Sequence, residues 1–208
     1  EAMRIAKGAS KPVVIADTQD NPGAGGTCDT TGMLAALVEN DAYGTVLGVM
    51  CDPDAARCAH EAGENAEIEI ALGGKGGIDG DAPFKGKFTV AKLGSGQFHC
   101  TGPYQGGRDM DLGPMALLRI GGVSIVTASK RAQAGDQEMF RHLNIEPLHQ
   151  KILVLKSSVH FRAHFQPISE RVLVSLAAGG HISDPRQYAY TKLRSGIRLV
   201  PLGPEWAA

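Results

Sequence analysis

The chain has 208 residues, enough to bury a sizeable core, and it is 43% hydrophobic and 21% charged, an ordinary globular composition. Its 21 basic and 22 acidic residues give a formal charge of −1, and only 5% of the chain is aromatic. That balance gives no electrostatic reason to expect nucleic acid or an anionic membrane as partner, and the low aromatic content argues against a base-stacking surface.

Residues 1–10, "EAMRIAKGAS", read as the tail of a helix running into a linker. Glu1 is no initiator, so a preceding segment is expected. "KPVVIAD" is a β-branched run bounded by Pro12 and Asp17, the pattern of a buried strand. "TTGMLAALVEN" carries Met33, Leu34, Leu37 and Val38 at helical spacing, with Asp29 or Thr30 as the expected N-cap. "YGTVLGVM" is a second strand. "DPDAARCAHEAG" is a second helix, with Asp52 as cap, Pro53 in its first turn and Gly63 at its end. "AEIEIALGG" adds a third strand.

The patterning then changes. "GKFTVAKLGSGQFHCTG" alternates about a "GSG" break and predicts an antiparallel hairpin. "MALLRIGGVSIVTA" predicts another, turning at Gly121-Gly122. A short helix in "GDQEMFRHLNI", a strand in "KILVLKSS", an irregular "VHFRAHFQPIS", a strand in "ERVLVSLAAGG" and a proline-broken tail "GIRLVPLGPEW" complete the chain. The prediction is an α/β fold: a mixed sheet with a βαβαβ opening and an antiparallel extension, in a single domain.

Chemistry concentrates in two places. The connection from Asp17 to about Asp29, "DTQDNPGAGGTCD", is longer than the two to six residues of ordinary βα turns. It leaves the carboxyl end of a strand, where α/β sheets place ligands. Asp17, Asp20, Asn21 and Asp29 are candidate substrate contacts there. Gly23, Gly25 and Gly26 could turn their amides towards an anion. Neither GxxxxGK[ST] nor GxGxxG is present.

The second place is "KSSVHFRAHF", residues 156–165, following another strand. It offers Ser157 and His160, and Arg162 for a substrate anion. His160 and His164 are one helical turn apart but lack the third ligand and the acidic residue of H-E-x-x-H. Elsewhere His99 and Cys100 are strand neighbours pointing to opposite faces, which disfavours a nucleophile pair. Lys75 in "LGGKGG" could meet a ligand or only solvent. His60 and His142 read as surface or boundary residues. Cys28, Cys51, Cys58 and Cys100 form no C-x-x-C pair, and they read as reduced thiols of a cytoplasmic protein.

Together, "ADTQDNPGAGGTCDTT", "CDPDAARCAHEAGENAEIEIALGGK" and "VLKSSVHFRAHFQPIS" resemble, in that order, the C-terminal domain of the microcystinase C (MlrC-type) zinc metallopeptidases. The resemblance runs from about Lys11 to Pro204, so residues 11–208 are read as that domain. It departs at Ala24, the second of what are often three consecutive glycines, and at Cys28, where glycine is common. The resemblance implies a zinc-dependent hydrolase of peptide or amide bonds whose N-terminal domain, absent from this chain, holds the zinc. This chain would supply no metal ligand, would close the cleft against that domain, and would be inactive alone. It further implies that Asp17, Asp20, Asn21, the loop glycines, His160 and Arg162 face the cleft, with His160 and Arg162 in catalytic roles. The expected partners are the N-terminal domain and a small peptide-like or amide substrate, with a homo-oligomer possible and no nucleic acid or membrane. The alternatives from the residues alone are a non-catalytic phosphate- or carboxylate-binding module and a structural dimerisation domain.

Overall fold

The structure is a computed structural model that describes residues 1–206; the last two residues of the 11–208 unit lie outside the described residues. In chain order the helix α1 (Ala2–Ala6) leads to the strand β1 (Val13–Asp17), the helix α2 (Gly32–Glu39) and β2 (Thr45–Cys51). Then come α3 (Pro53–Ala62), β3 (Glu67–Leu72), β4 (Phe84–Gly94), β5 (Gln97–His99) and β6 (Asp109–Asp111). The hairpin β7 (Met115–Ile120) and β8 (Val123–Ala128) is followed by α4 (Glu138–Arg141), β9 (Ile152–Leu155), α5 (Arg162–Phe165) and β10 (Arg171–Ser175).

One mixed sheet of eight strands carries the fold, in the order β10-β1-β9-β2-β8-β7-β4-β3. The first five run parallel to one another and the last three attach antiparallel. The strand–helix–strand–helix–strand opening is present in element order, but its members are not neighbours. β9 lies between β1 and β2, and β3 reaches the sheet only through β4, with which it pairs antiparallel. A strand's letters give its faces, not its neighbours.

The expected hairpin at "GSG" does not form. β4 pairs with β3 through Phe84–Thr89 and with β7 through Thr89–Gly94, whereas β5 pairs with β6 in a small separate ribbon. Gly96 turns the chain away at φ +79, and its N–H donates to His142 Nε2 at 2.9 Å. The hairpin at Gly121-Gly122 does form, with Ile120 opposite Val123.

Two apolar layers cover the sheet. One gathers Val14, Val46, Val126, Phe140, Leu153 and Phe165; the other gathers Leu34, Leu37, Leu47, Phe88, Leu118 and Ile125. The four residues of β9 are all buried, as strands covered on both faces must be. α3 ends as its letters predict. Asp52 Oδ1 accepts from Ala55 N at 3.1 Å, Pro53 opens the helix, and Gly63 closes it at φ +86, while Ala55, Ala56 and Ala59 pack inward. α2 differs. Its N-cap is Thr31, which makes no side-chain cap bond; Asp29 and Thr30 are drawn instead into the contacts described below.

Candidate functional site

β1 and β9 are neighbours and parallel, so their carboxyl ends bring Asp17 and Lys156 to the same edge. Lys156 is fully buried. Its ammonium donates to Asp17 Oδ2 at 3.0 Å and Asp20 Oδ2 at 2.6 Å. Thr30 adds its carbonyl at 2.9 Å and Oγ1 at 3.1 Å. An unpaired ammonium could not remain charged here. Desolvation alone would lower the Lys156 pKa, but the Asp17 and Asp20 carboxylates outweigh it and hold it raised. Burial pushes the Asp17 carboxyl up against the pull of Lys156. Asp20 goes the other way: burial is overcome by Lys156 and by the Thr30 hydrogen bonds, and its pKa is lowered.

Asp20 is the centre of the loop. Its Oδ1 accepts from Cys28 N at 2.7 Å and Thr27 Oγ1 at 3.2 Å, and its Oδ2 from Thr30 N and Oγ1, both at 2.9 Å. With both oxygens occupied and no exposed surface, Asp20 organises the loop from within rather than presenting the substrate contact expected of it. Asp17, equally buried, keeps Oδ1 without a partner among the described residues. Asn21 closes the far side: Oδ1 accepts from Gly23 N at 3.0 Å, and Nδ2 donates to Ser158 Oγ at 2.8 Å.

The glycine amides are spent in the same way. Gly23 N goes to the Asn21 side chain, Gly25 N to Pro22 O, and Gly26 N to Asn21 O at 2.9 Å. The anion cradle expected of Gly23, Gly25 and Gly26 is therefore not formed. The glycines serve the turn itself. Gly25 sits at φ +95, and a Cβ on Gly26 would lie 2.7 Å from Asn21 N. Cys28, buried and at φ +67, occupies a left-handed conformation that suits glycine better. Its thiol lies 3.0 Å from Val49 O, and burial pushes its pKa up to about 12, so it packs rather than reacts.

Beside this hub lies a more open rim. His160 is exposed. Its ring stacks on Tyr104 at 4.1 Å between centroids, and Nδ1 lies 3.1 Å from Gln133 Oε1. Gln133 Nε2 donates to Tyr104 Oη at 2.8 Å. With an amide oxygen as its partner, Nδ1 is the nitrogen that carries the proton in the neutral ring, which leaves the lone pair on Nε2. Ser157, fully buried, lies 3.5 Å from Gln133 Oε1. The segment bearing Tyr104 is pinned by buried Asp136, whose Oδ2 accepts from Gly102 N at 2.7 Å. Gln133 and Tyr104 were missed in the sequence, since no motif links them to His160.

His160 and His164 do not converge. His164 Nδ1 accepts from Gln137 N at 3.2 Å and lies 3.5 Å from Asp136. Arg162 lies over the Phe161 ring at 5.3 Å and donates to Gln166 Oε1 at 3.3 Å; it shares no hydrogen bond with the loop or with His160 among the described residues. Asp29 is buried at the other end of the loop, where its Oδ2 accepts from Lys75 N at 2.7 Å. Among the described residues, no three His, Cys, Asp or Glu side chains are arranged to hold a metal ion. The carboxylates best placed for one, Asp17 and Asp20, are already bound to an ammonium. No described helix is long and apolar enough to cross a membrane.

Comparison with known proteins agrees with this architecture. A crystal structure of a "Putative metallopeptidase" from Mesorhizobium sp. BNC1 matches with a TM-score of 0.81 and 27% identity, covering 93% of this chain and 39% of that one. Microcystinase C of Sphingomonas sp. is 30% identical over 172 residues, which is 82% of this chain and 33% of that protein. The chain thus spans about a third of the curated relative it matches. The model of the family described as "MlrC C-terminus" matches residues 15–192, from within β1 to beyond β10, and the chain belongs to that family.

Proposed function

We infer that this chain is the C-terminal portion of a zinc-dependent hydrolase of peptide or amide bonds, and that it closes the active-site cleft against an N-terminal domain. Relatives named microcystinase C and metallopeptidase, each far longer than this chain, support the reading. Among the described residues no three His, Cys, Asp or Glu side chains are arranged to hold a metal ion, which supports placing the zinc in the N-terminal domain.

The observation that carries a catalytic role for this chain is the tethered imidazole. His160 is fixed in ring plane by Tyr104 and in tautomer by Gln133, with Nε2 making no hydrogen bond among the described residues, beyond the carboxyl end of β9. A general acid–base group needs that combination of orientation and a free lone pair. His160 accepts or returns a proton at Nε2, Gln133 holds Nδ1–H, and the Lys156 hub keeps the neighbouring loop in one shape. Ser157 and Asn21 brace the rim from beneath. Arg162, half-exposed and held among the described residues by Gln166 and Phe161, is free to swing towards a substrate carboxylate.

The test is kinetic, on the zinc-loaded full-length protein with a linear peptide amide as substrate. His160→Ala should lower kcat/KM by about two powers of ten or more, the usual contribution of a positioned acid–base group. Gln133→Leu should lower it less and distort the pH profile. Undiminished activity in His160→Ala would remove the histidine from the chemistry.

A further inference from the structure

Tyr104 is held in the rim more firmly than a surface tyrosine needs to be. It stands in the loop between β5 and β6, which its own backbone closes. Cys100 N donates to Arg108 O at 2.9 Å, Gly107 N to Cys100 O at 3.1 Å and Arg108 N to Gln105 O at 3.2 Å. The ring lies close to Gly135, where a Cβ would come within 3.0 Å of its Cδ1. The His160 ring stacks on it with an interplanar angle of 18°. Two residues back, Gly102 is pinned to Asp136 and has no room for a side chain, since a Cβ would meet His164 and Asp136. The ring is thereby set in place while Tyr104 stays 40% exposed. A phenylalanine would make all of these contacts. The hydroxyl needs a separate reason.

Part of that reason is the buried Gln133 amide. Its Oε1 faces His160 Nδ1 at 3.1 Å and Ser157 Oγ at 3.5 Å, and its Nε2 donates to Tyr104 Oη at 2.8 Å. A hydroxyl has one donor and two lone pairs. With its oxygen accepting from Gln133, the Tyr104 O–H is left over, without an acceptor among the described residues. One amide therefore positions two unused groups of opposite kind, the lone pair of His160 Nε2 and the proton of Tyr104 Oη. Addition to an amide carbonyl places negative charge on its oxygen, and a donor already aimed there lowers the barrier. The usual sources of such a donor are engaged elsewhere. The N–H groups of Gly23, Gly25 and Gly26 bond within their own turn, and Arg162 is turned to Gln166.

We propose that Tyr104 is a second catalytic group of the rim, donating its O–H to the carbonyl oxygen of the scissile amide as negative charge develops there. The proton stays on the tyrosine throughout, so the hydroxyl stabilises charge and leaves proton transfer to His160. The inference rests on the hydrolase reading and adds a residue to it. Because the donor is strongest where the charge is greatest, its effect falls on kcat more than on KM.

The experiment compares Tyr104→Phe, His160→Ala and the parent as zinc-loaded full-length proteins hydrolysing a linear peptide amide. Tyr104→Phe keeps the stacked ring and the contact with Gly135. It should lower kcat about a hundredfold, the usual loss when one oxyanion donor is removed, and leave KM within about twofold of the parent. The pH at which His160 titrates in the kcat/KM profile should not move. A double variant with Gln133→Leu separates direct action from action through the glutamine, because direct action makes the two losses multiply. A double variant no slower than Gln133→Leu alone would make Tyr104 an anchor for Gln133 and overturn the proposal. A shifted pH profile would do the same, and so would a loss confined to KM. Full activity in Tyr104→Phe beside an impaired His160→Ala would remove the tyrosine and spare the histidine. Full activity in both, or a parent that leaves the peptide intact, would remove the hydrolase reading at this site together with the proposal.

Discussion

The hub and the rim stand at the ends of the same two strands yet treat polar side chains in opposite ways. In the hub, two carboxylates, an ammonium and a threonine are turned inward and bind one another without reaching solvent, with Asp17 Oδ1 left unpaired among the described residues. In the rim, His160 and Tyr104 are exposed and held by a single buried glutamine. The hub fixes backbone; the rim presents side chains. A loop crowded with aspartates and glycines can therefore be scaffold, while the less conspicuous "VHF" segment carries the freer chemistry.

Lys156→Met should break this contrast most severely. It would strand two buried carboxylates, at a cost of about 3 to 5 kcal/mol. Adding either Asp17→Asn or Asp20→Asn to it, in separate variants, should recover part of that loss. Urea melts of the four proteins measure the coupling, and a Lys156→Met protein as stable as the parent would dissolve the hub.

The loop glycines give the next effect. Gly26→Ala meets backbone at 2.7 Å, from both Asn21 N and the Asp20 carbonyl carbon, and should cost more than the roughly 1 kcal/mol expected at Gly25, where only the positive φ is strained. Gly23→Ala presses only on the Gln133 side chain, at 3.0 Å, and should cost least in stability. Because that glutamine holds His160, Gly23→Ala should instead disturb the imidazole, visible as changed ring signals in NMR. The reverse order of stabilities would mean the loop is not held as described.

Acid should produce the smallest change. Burial holds His164 below its ordinary value of 6.5, partly opposed by Asp136, and burial does the same to His142. A histidine whose folded pKa is depressed favours the neutral form. Its contribution to stability is present above the unfolded pKa and is lost as pH falls through the folded one. Melting temperature should therefore decline from neutral pH to about pH 5, and His164→Gln should flatten that decline. Asp20, also depressed, should act only further down, below 3.8. A melting temperature independent of pH over the upper range would show that these imidazoles are already solvated.

Much of this was legible in the letters, for identifiable reasons. The ends of α3 follow from Asp52, Pro53 and Gly63, whose preferences are local. The hairpin at Gly121-Gly122 is local as well. The partner of β4 was not legible, because alternation in "KFTVAKL" gives two faces and no neighbour. Nor could the sequence tell which way Asp20 points, since a carboxylate has one letter whether it meets water or Lys156. One signal was available: a lysine directly after the apolar "ILVL" at a strand's carboxyl end needs a buried anion or a quick route to solvent. The rim was hidden because Tyr104, Gln133 and His160 come from three separate connections.

The strand order also governs how the chain comes together in time. Among the described residues β1 finds its sheet neighbours in β9 and β10, more than a hundred residues later. On a ribosome, at about 5 to 20 residues per second, the first strand waits on the order of ten seconds for those partners. Until then Val13, Val14 and Ala16, all wholly buried in the finished protein, lack the two strands that flank them. The closing of an early apolar strand by the last third of the chain makes this a high-contact-order fold, and such folds are slow. A truncation before β9 should therefore yield not a smaller domain but an adhesive one, prone to aggregation and chaperone capture.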